Sequence, residues 1–161
     1  MEIKLRKGRK DDLSEILQLN EKLADLHAEN DNYFLSGSET RDGVRGWLES
    51  VFGDDETLIL VVEKEGGLGG YFIGLIEDAK PFVRPDREGR ISDAYLEPQF
   101  RGEGLAGLAF QRFKEWFGAN DIRTIRLSVH SENKEAINFW RSLGFEEYMK
   151  RMKVNIKPAE T

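Results

Sequence analysis

Apolar residues recur along the chain with two different spacings, and the spacing separates strands from helices. Short apolar runs bounded by turn residues predict strands. The predicted strands are residues 2–7, 57–63, 71–77, 90–97, 122–129, 145–149 and 151–156. The run at 57–63 is apolar at nearly every position, which is typical of a strand buried on both faces. The glycines of residues 66–70 predict a turn, and residues 78–89 predict a polar loop.

Helical spacing marks four other segments. Asp12 and Glu15 predict a capping box that opens a first helix, which should extend to about His27. The second helix carries Val44 and Val51 on one apolar stripe. The third and fourth predicted helices are residues 104–117 and 133–143, the latter closed by Gly144.

The order of these elements is β-α-α-β-β-β-α-β-α-β-β, which predicts an α/β fold. No repeat or linker interrupts it, so we expect one domain over residues 1–156. Residues 157–161 predict a short tail.

Composition narrows the class of protein. The chain has 161 residues, 39% of them hydrophobic and 34% charged, as in soluble globular domains. No apolar run approaches the roughly 18 residues of a membrane span, and residues 1–12 lack the apolar stretch of a signal peptide. The absence of cysteine excludes disulfides, thiolate metal sites and a cysteine nucleophile. These features predict a cytoplasmic protein that does not act at a membrane.

The net charge of −6 argues against a nucleic-acid binder, whose surface would be basic. It is compatible with a cationic substrate, although net charge also serves solubility alone. His27 and His130 lie far apart without a metal-binding motif, so no metal site is predicted.

The stretch QFRGEGLAG, residues 99–107, carries the strongest chemical signal. A predicted strand ends, a glycine-rich turn follows, and a long helix begins at once. Free backbone N–H groups and the positive end of the helix dipole meet there, which makes an anion site.

Two familiar phosphate loops fit this stretch poorly. The dinucleotide fingerprint needs a strand that leads directly into the first glycine and an acidic residue about 20 residues later. Here four residues separate the strand from Gly102, and Leu127 stands where the acidic residue is needed. The Lys-Ser/Thr pair of nucleotide-triphosphate loops is also absent.

The sequence resembles the GCN5-related N-acetyltransferase (GNAT) family. Gln99 to Gly104 follow the family's loop pattern Gln/Arg-x-x-Gly-x-Gly/Ala, between its fourth strand and third helix. A second block, residues 128–148, is similar to the family's downstream strand-helix-strand segment, with Asn133 opening the helix. The resemblance implies a mixed central sheet whose fourth and fifth strands splay apart to admit acetyl-CoA.

The same resemblance implies the residues that bind acetyl-CoA. Loop amides would hold the pyrophosphate, strand-four backbone would pair with the pantetheine arm, and the fourth helix would contact that arm. The implied cofactor residues are Ala94, Tyr95, Leu96, Gln99, Arg101, Gly102, Glu103, Gly104, Leu105, Ala106, Asn133 and Trp140. The side chain of Glu103 should point away, because a carboxylate repels pyrophosphate.

The family's reaction is direct transfer of acetyl to an amine. A backbone N–H at a strand-four bulge near Leu96 would polarise the thioester carbonyl. Many members have a tyrosine acid at the position of Trp140, but an indole is not a useful acid. Tyr148 is the candidate substitute, although the ordinary habits of tyrosine favour the alternative of a strand residue with its hydroxyl in solvent.

Asp93 is the expected general base, because family members place a carboxylate near this position, and Glu97 also flanks this end of the strand. An exposed aspartate without a catalytic role is the alternative. Tyr33 and Phe34 could line the acceptor cleft or pin their loop to the core.

The sequence therefore predicts an acetyl-CoA-dependent N-acetyltransferase acting on a small-molecule or protein amine. A homodimer is common in the family. One alternative is an acyl-CoA-binding module without catalysis, which the tryptophan at position 140 favours. The other is a nicotinamide-dependent oxidoreductase, which the context of the glycine loop disfavours.

Overall fold

A five-stranded sheet lies at the centre of residues 2–128. The computed structural model describes residues 2–159, which divide after Ser128 into two units. The elements of the first unit are β1 Lys4–Lys7, α1 Leu13–Asn30, α2 Gly37–Val51, β2 Thr57–Lys64, β3 Gly67–Asp78, β4 Arg87–Leu96, α3 Leu105–Ala119 and β5 Ile125–Arg126. The second unit contains α4, Lys134–Ser142.

The sheet has the strand order β1-β2-β3-β4-β5, and every pairing is antiparallel except that of β4 with β5. A parallel pair needs a crossover connection, and α3 supplies it. The mixed sheet and the α/β class are confirmed, and the element order agrees with the prediction as far as α4.

Strands β4 and β5 pair only at Gly89–Ile125 and Arg90–Arg126. Beyond Arg90, residues 91–96 of β4 have no strand partner on that side within residues 2–128. The two strands therefore part after two residue pairs, as expected of splayed strands.

Helices α1 and α2 cover one face of the sheet. Alternate residues of β2 and β3 point to this face, because successive side chains of a strand alternate. The core on this side comprises Leu13, Ile16, Leu17, Leu19, Leu48, Val51, Ile59, Val61, Leu68, Tyr71, Ile73, Leu75 and Tyr95. This packing fixes α1 against β3 and β4.

Helix α3 covers the opposite face, where two strand glycines make room for its phenylalanines. A Cβ at Gly74 would lie 2.6 Å from the Phe113 ring, and one at Gly89 would lie 2.6 Å from the Phe117 ring. Both phenylalanines are fully buried. The close approach sets the position of α3, and thereby of the loop that precedes it.

The predicted capping box at the start of α1 is not formed. The Asp12 carboxylate accepts two hydrogen bonds from the Arg6 guanidinium, at 2.8 and 2.9 Å, and one from the Arg9 N–H at 2.7 Å. Glu15 accepts instead from the N–H of Leu68, at 2.8 Å. The hydrogen bonds from Arg6 lower the pKa of Asp12, although burial opposes ionisation. A buried ion pair thus replaces the local cap.

The turn predicted at residues 66–70 is confirmed only at Gly66, which forms it together with Glu65, since β3 begins at Gly67. A Cβ at Gly69 would collide with the Phe100 ring, and one at Gly70 would lie 2.7 Å from the Tyr95 carbonyl oxygen. These two glycines therefore permit close packing within the sheet. The loop before β4 is also shorter than predicted, because β4 begins at Arg87.

The largest difference between the predicted and the observed elements concerns the strands expected after residue 121. The fifth strand is reduced to Ile125–Arg126, and residues 145–149 and 151–156 contain no strand. Residues 129–159 include no strand at all, so these segments have no pairing partner within their own unit. Backbone N–H and C=O groups form a strand only when a neighbouring strand satisfies them.

Candidate active site

The loop after β4 is anchored by one buried aromatic side chain. A 3-10 turn, Pro98–Phe100, follows β4 and buries Phe100 against Gly69. The ammonium group of Lys64 lies 5.6 Å from the centre of the Phe100 ring. The start of the loop is therefore tied to the sheet while its remainder stays exposed.

Gly102 and Gly104 both have a φ of 80°, in the left-handed region that side chains disfavour. Gly104 is the residue that caps the N-terminus of α3. A Cβ at either position would meet no atom within 4 Å, so backbone conformation, and not crowding, calls for glycine here. The same open space leaves room for a ligand beside the loop.

The backbone N–H groups of residues 102–106 have no hydrogen-bond acceptor within residues 2–128. The N–H of Arg101 does have one, the Pro98 carbonyl at 3.2 Å. Five adjacent donors at the positive end of the α3 dipole form a site suited to an anion. The backbone geometry is compatible with the anion site predicted from the sequence, and binding at this loop stays a prediction.

The side chain of Arg101 folds back onto β4. Its Nε donates to the Leu96 carbonyl at 2.9 Å, and its guanidinium lies 5.8 Å from the centre of the Tyr95 ring. Gln99 and Glu103 are exposed. The loop and the end of β4 are therefore linked by one arginine.

The strand that leads into this loop has one paired edge and one open edge. Ala94, Tyr95 and Leu96 are paired with β3, while their other edge is unpaired within residues 2–128. An open strand edge presents N–H and C=O groups to an extended partner. Along the chain, residues 97–101, which include the 3-10 turn, separate the open edge from the anion site.

A β-bulge lies in β4 at Ser92, not near Leu96 as predicted. Ile73 pairs with Asp93 and Gly74 pairs with Ile91, so Ser92 is the extra residue. From Asp93 to Leu96 the pairing with β3 is regular. A bulge re-aims the side chains that follow it, and here it sets the register that pairs Asp93 with Ile73 and Tyr95 with Tyr71.

Asp93 is part of a hydrogen-bonded cluster with Asn20 of α1 and Tyr71 of β3. The Tyr71 hydroxyl donates to Asp93 Oδ2 at 2.8 Å. The Asn20 amide donates to the Tyr71 hydroxyl at 2.9 Å and to Asp93 Oδ2 at 3.3 Å. Burial, and next the charge of Asp93, raise the pKa of Tyr71 well above its usual value.

Asn20 and Tyr71 were not among the residues predicted from the sequence, although each stands in an unusual position. Asn20 is a polar residue between Ile16 and Leu23 on the apolar stripe of α1, and Tyr71 opens a strongly apolar strand segment. Polar groups at such positions need partners. A polar residue in apolar surroundings indicates that a hydrogen-bond partner exists, but the sequence does not show which residue that partner is.

Glu97 lies just beyond β4 and is held by two cations. Lys22 Nζ is 3.0 Å from one carboxylate oxygen and Lys64 Nζ is 3.2 Å from the other. Burial opposes ionisation of Glu97, but the hydrogen bonds from the two lysines outweigh it and lower the pKa. The Glu97 carboxylate is therefore held by ion pairs, whereas that of Asp93 is held by hydrogen bonds from two neutral side chains and has no ion pair in the described part of the chain.

Sequence comparison bears directly on this arrangement of open edge, loop and helix. The model of the acetyltransferase (GNAT) family matches residues 20–145, which include all three features. The chain belongs to the GNAT acetyltransferase family. An uncharacterized N-acetyltransferase of Methanocaldococcus jannaschii is 27% identical over 143 residues, which cover 89% of this chain and 60% of that protein. The chain thus spans less than two thirds of this relative.

Solved structures share the GNAT fold. A Bacillus halodurans protein, solved in a tetramutant form, matches with a TM-score of 0.80 at 23% identity, over 95% of this chain and 99% of that chain. A predicted acetyltransferase from Clostridium acetobutylicum, solved with acetyl-CoA, matches with a TM-score of 0.76 at 16% identity, over 96% of each chain. At these identities the likeness is one of fold.

The other predicted GNAT site residues lie in the second unit. Asn133 caps α4, since its Oδ1 accepts from the Ala136 N–H at 3.1 Å. Trp140 packs edge-on against Phe139 and Phe145, with ring centres 5.0 and 5.4 Å apart. Tyr148 follows α4 in a segment without regular structure and is 69% exposed.

The aromatic loop between α1 and α2 is exposed. Tyr33 is 65% exposed and meets Phe34 edge-on, and Phe34 in turn lies 5.7 Å from the ring of His27. These rings contact one another, and both loop aromatics remain accessible. Across residues 2–159, no group of three metal-ligating side chains is assembled, and no helix is long and apolar enough to cross a membrane.

Proposed function

We propose that this protein is an acetyl-CoA-dependent N-acetyltransferase that transfers acetyl directly to an amine. One observation carries the proposal. Five backbone N–H groups that have no acceptor in residues 2–128 lie at the start of α3, and only residues 97–101 separate them along the chain from the open edge of β4. An anion site that follows an open strand edge after one short turn suits a ligand that joins a pyrophosphate to an amide-containing arm.

In this proposal the N–H groups of residues 102–106 bind the pyrophosphate of acetyl-CoA. Ala94, Tyr95 and Leu96 offer their open edge to the amides of the pantetheine arm. The open space beside Gly102 and Gly104 supports the fit, because no atom stands within 4 Å of a Cβ there. The Clostridium acetobutylicum structure with acetyl-CoA supports the choice of ligand. Asn133 and Trp140 are proposed as further contacts on the resemblance alone.

Asp93 is proposed as the general base. It takes a proton from the substrate ammonium, and the nitrogen keeps the electron pair that forms the new bond to the acetyl carbon. A backbone N–H of β4 polarises the thioester carbonyl, and the bond from carbon to sulfur then breaks. Tyr148 is proposed to protonate the departing thiolate, because the indole of Trp140 cannot.

The test is a turnover assay with acetyl-CoA and a panel of amines that spans polyamines, aminoglycosides, amino acids and peptide N-termini. The proposal predicts saturable acetyl-CoA binding by calorimetry and free thiol release with at least one amine class. Saturable binding without turnover on any amine would favour the non-catalytic module. Binding of NADH without binding of acetyl-CoA would contradict the proposal.

A further inference from the structure

Three polar side chains from distant parts of the chain meet at one carboxylate oxygen. Asn20, Tyr71 and Asp93 are separated by 51 and 22 residues along the sequence, and each lies on a different element. Both Asn20 and Tyr71 direct a donor at the same atom, Oδ2 of Asp93. Because donors from α1 and from β3 both reach this oxygen, the orientation of the Asp93 carboxylate is fixed.

The burial of Tyr71 makes the arrangement rigid. Its side chain is 0% exposed, so its hydroxyl cannot turn to solvent for a partner. A phenol has one proton to donate, and that proton goes to Asp93 while Asn20 supplies the hydrogen bond that the oxygen accepts. Loss of the Asp93 carboxylate would leave the buried hydroxyl proton of Tyr71 without its acceptor, which is costly.

The other oxygen of Asp93 stays available. Oδ1 accepts no hydrogen bond from any group in residues 2–128, and the Asp93 side chain is only partly buried. The two oxygens of the carboxylate therefore differ, since one is held by the protein and the other is open. A general base needs this asymmetry, because it must be both oriented and accessible.

We propose that Asn20 and Tyr71 are positioning residues, which hold Oδ2 of Asp93 so that Oδ1 receives the proton of the acceptor ammonium. The inference rests on the proposed function, in which Asp93 is the base. In the step concerned, the N–H bond of the ammonium breaks, an O–H bond forms at Oδ1, and the nitrogen retains the electron pair. Neither Asn20 nor Tyr71 exchanges a proton with the substrate.

A double-mutant cycle over Tyr71→Phe and Asp93→Asn tests the inference with an amine that the wild type acetylates. Tyr71→Phe should lower kcat by about 10- to 100-fold, as expected for one hydrogen bond to a charged group, while KM for acetyl-CoA stays unchanged.

In the Asp93→Asn background, Tyr71→Phe should lower kcat by less than about twofold, because the residue acts only through the carboxylate. An equal loss in both backgrounds would overturn the inference. Asn20→Ala provides a second variant and should also lower kcat. Unchanged kcat in both single variants would likewise overturn it.

The matched control is Ile59→Val, which removes a methylene from the same buried face and leaves the three hydrogen bonds in place. It should keep kcat, and a loss of kcat equal to that of Tyr71→Phe would show that packing alone is responsible. A wild type that acetylates no amine would contradict the proposed function itself. Full activity of Asp93→Asn would contradict only the role of the base, together with this inference.

Discussion

The loop after β4 and the cluster around Asp93 are built in opposite ways. The loop presents backbone N–H groups from five consecutive residues. A Cβ added at Gly102 or Gly104 would meet no atom within 4 Å, so side-chain packing plays no part at these two positions. The cluster consists of side chains alone, drawn from α1, β3 and β4. One region depends on local backbone conformation, and the other depends on the packing of three distant elements.

This contrast explains why the two regions respond differently to sequence analysis. A left-handed φ selects glycine directly, so Gly102 and Gly104 are visible as letters in the chain. The hydrogen bond between Asn20 and Tyr71 depends on how α1 packs against β3. The position of Asp93 next to them depends on the bulge at Ser92. A site that depends on local backbone conformation can be recognised in the sequence as a motif. A site that depends on tertiary packing shows in the sequence only as polar residues in apolar surroundings.

The largest expected effect comes from a charge placed in the loop. Gly104→Glu sets a carboxylate beside the proposed pyrophosphate, and two like charges about 4 Å apart repel by about 4 kcal/mol, or roughly 1000-fold in Kd. Calorimetry should therefore detect no saturable binding of acetyl-CoA. Gly118→Glu makes the same charge change at the far end of α3, where a Cβ meets no atom, and should bind normally. Normal affinity in a folded Gly104→Glu variant would contradict the loop's role.

Substitution of the proposed base tests whether the loop and the Asp93 cluster have separate functions. Asp93→Asn should lower kcat by about 10²- to 10⁴-fold, the usual contribution of general base catalysis, and leave the Kd of acetyl-CoA unchanged. Together with Gly104→Glu, this variant tests whether binding and proton transfer reside in different places. Loss of acetyl-CoA affinity in Asp93→Asn would indicate that the regions are not independent.

A stability variant outside both regions tests whether reduced activity reflects unfolding. Asp12→Asn leaves Glu63 as the only carboxylate within ion-pair distance of the Arg6 guanidinium among residues 2–159, and it should lower the free energy of unfolding by about 3 kcal/mol, as measured in urea. Turnover by the folded fraction should not change. A fall in kcat of this variant equal to that of Asp93→Asn would mean that stability alone explains both.

The same ion pair predicts a pH dependence. Because Arg6 lowers the pKa of Asp12 in the folded state, the pair stabilises the fold above the unfolded pKa, about 3.9 for aspartate, and this stability is lost as the pH falls further. The stability of the wild type should thus decline more steeply below about pH 4 than that of Asp12→Asn. Parallel curves would contradict this assignment.

The smallest effect belongs to the third glycine of the stretch. Gly107 lies inside α3 with ordinary helical φ, and a Cβ there meets no atom within 4 Å. Gly107→Ala should stabilise the helix by about 0.5–1 kcal/mol in thermal or urea unfolding and leave the Kd of acetyl-CoA within about twofold. A marked loss of affinity would extend the functional loop one residue further than proposed.

Much of the fold was predictable because the spacing of apolar residues along the chain indicates which face of each helix or strand is buried. The strands β2, β3 and β4 and all four helices lie where apolar spacing indicates. The errors share one physical origin, since pairing partners and close contacts are not encoded in spacing. Gly69 and Gly70 serve packing and not a turn, and Asp12 prefers Arg6 to the helix end. The segments 145–149 and 151–156 have strand-like patterns but no strand partner in their unit.

The amide resonances of the loop provide the most direct measurement. In a titration of the ¹⁵N-labelled protein with acetyl-CoA, the N–H signals of residues 102–106 should shift with a single saturable dissociation constant. These shifts should exceed those of helical glycines remote from the loop, such as Gly43 and Gly46 of α2. Saturable binding that leaves the signals of residues 102–106 in place would contradict the assignment of this loop as the pyrophosphate site.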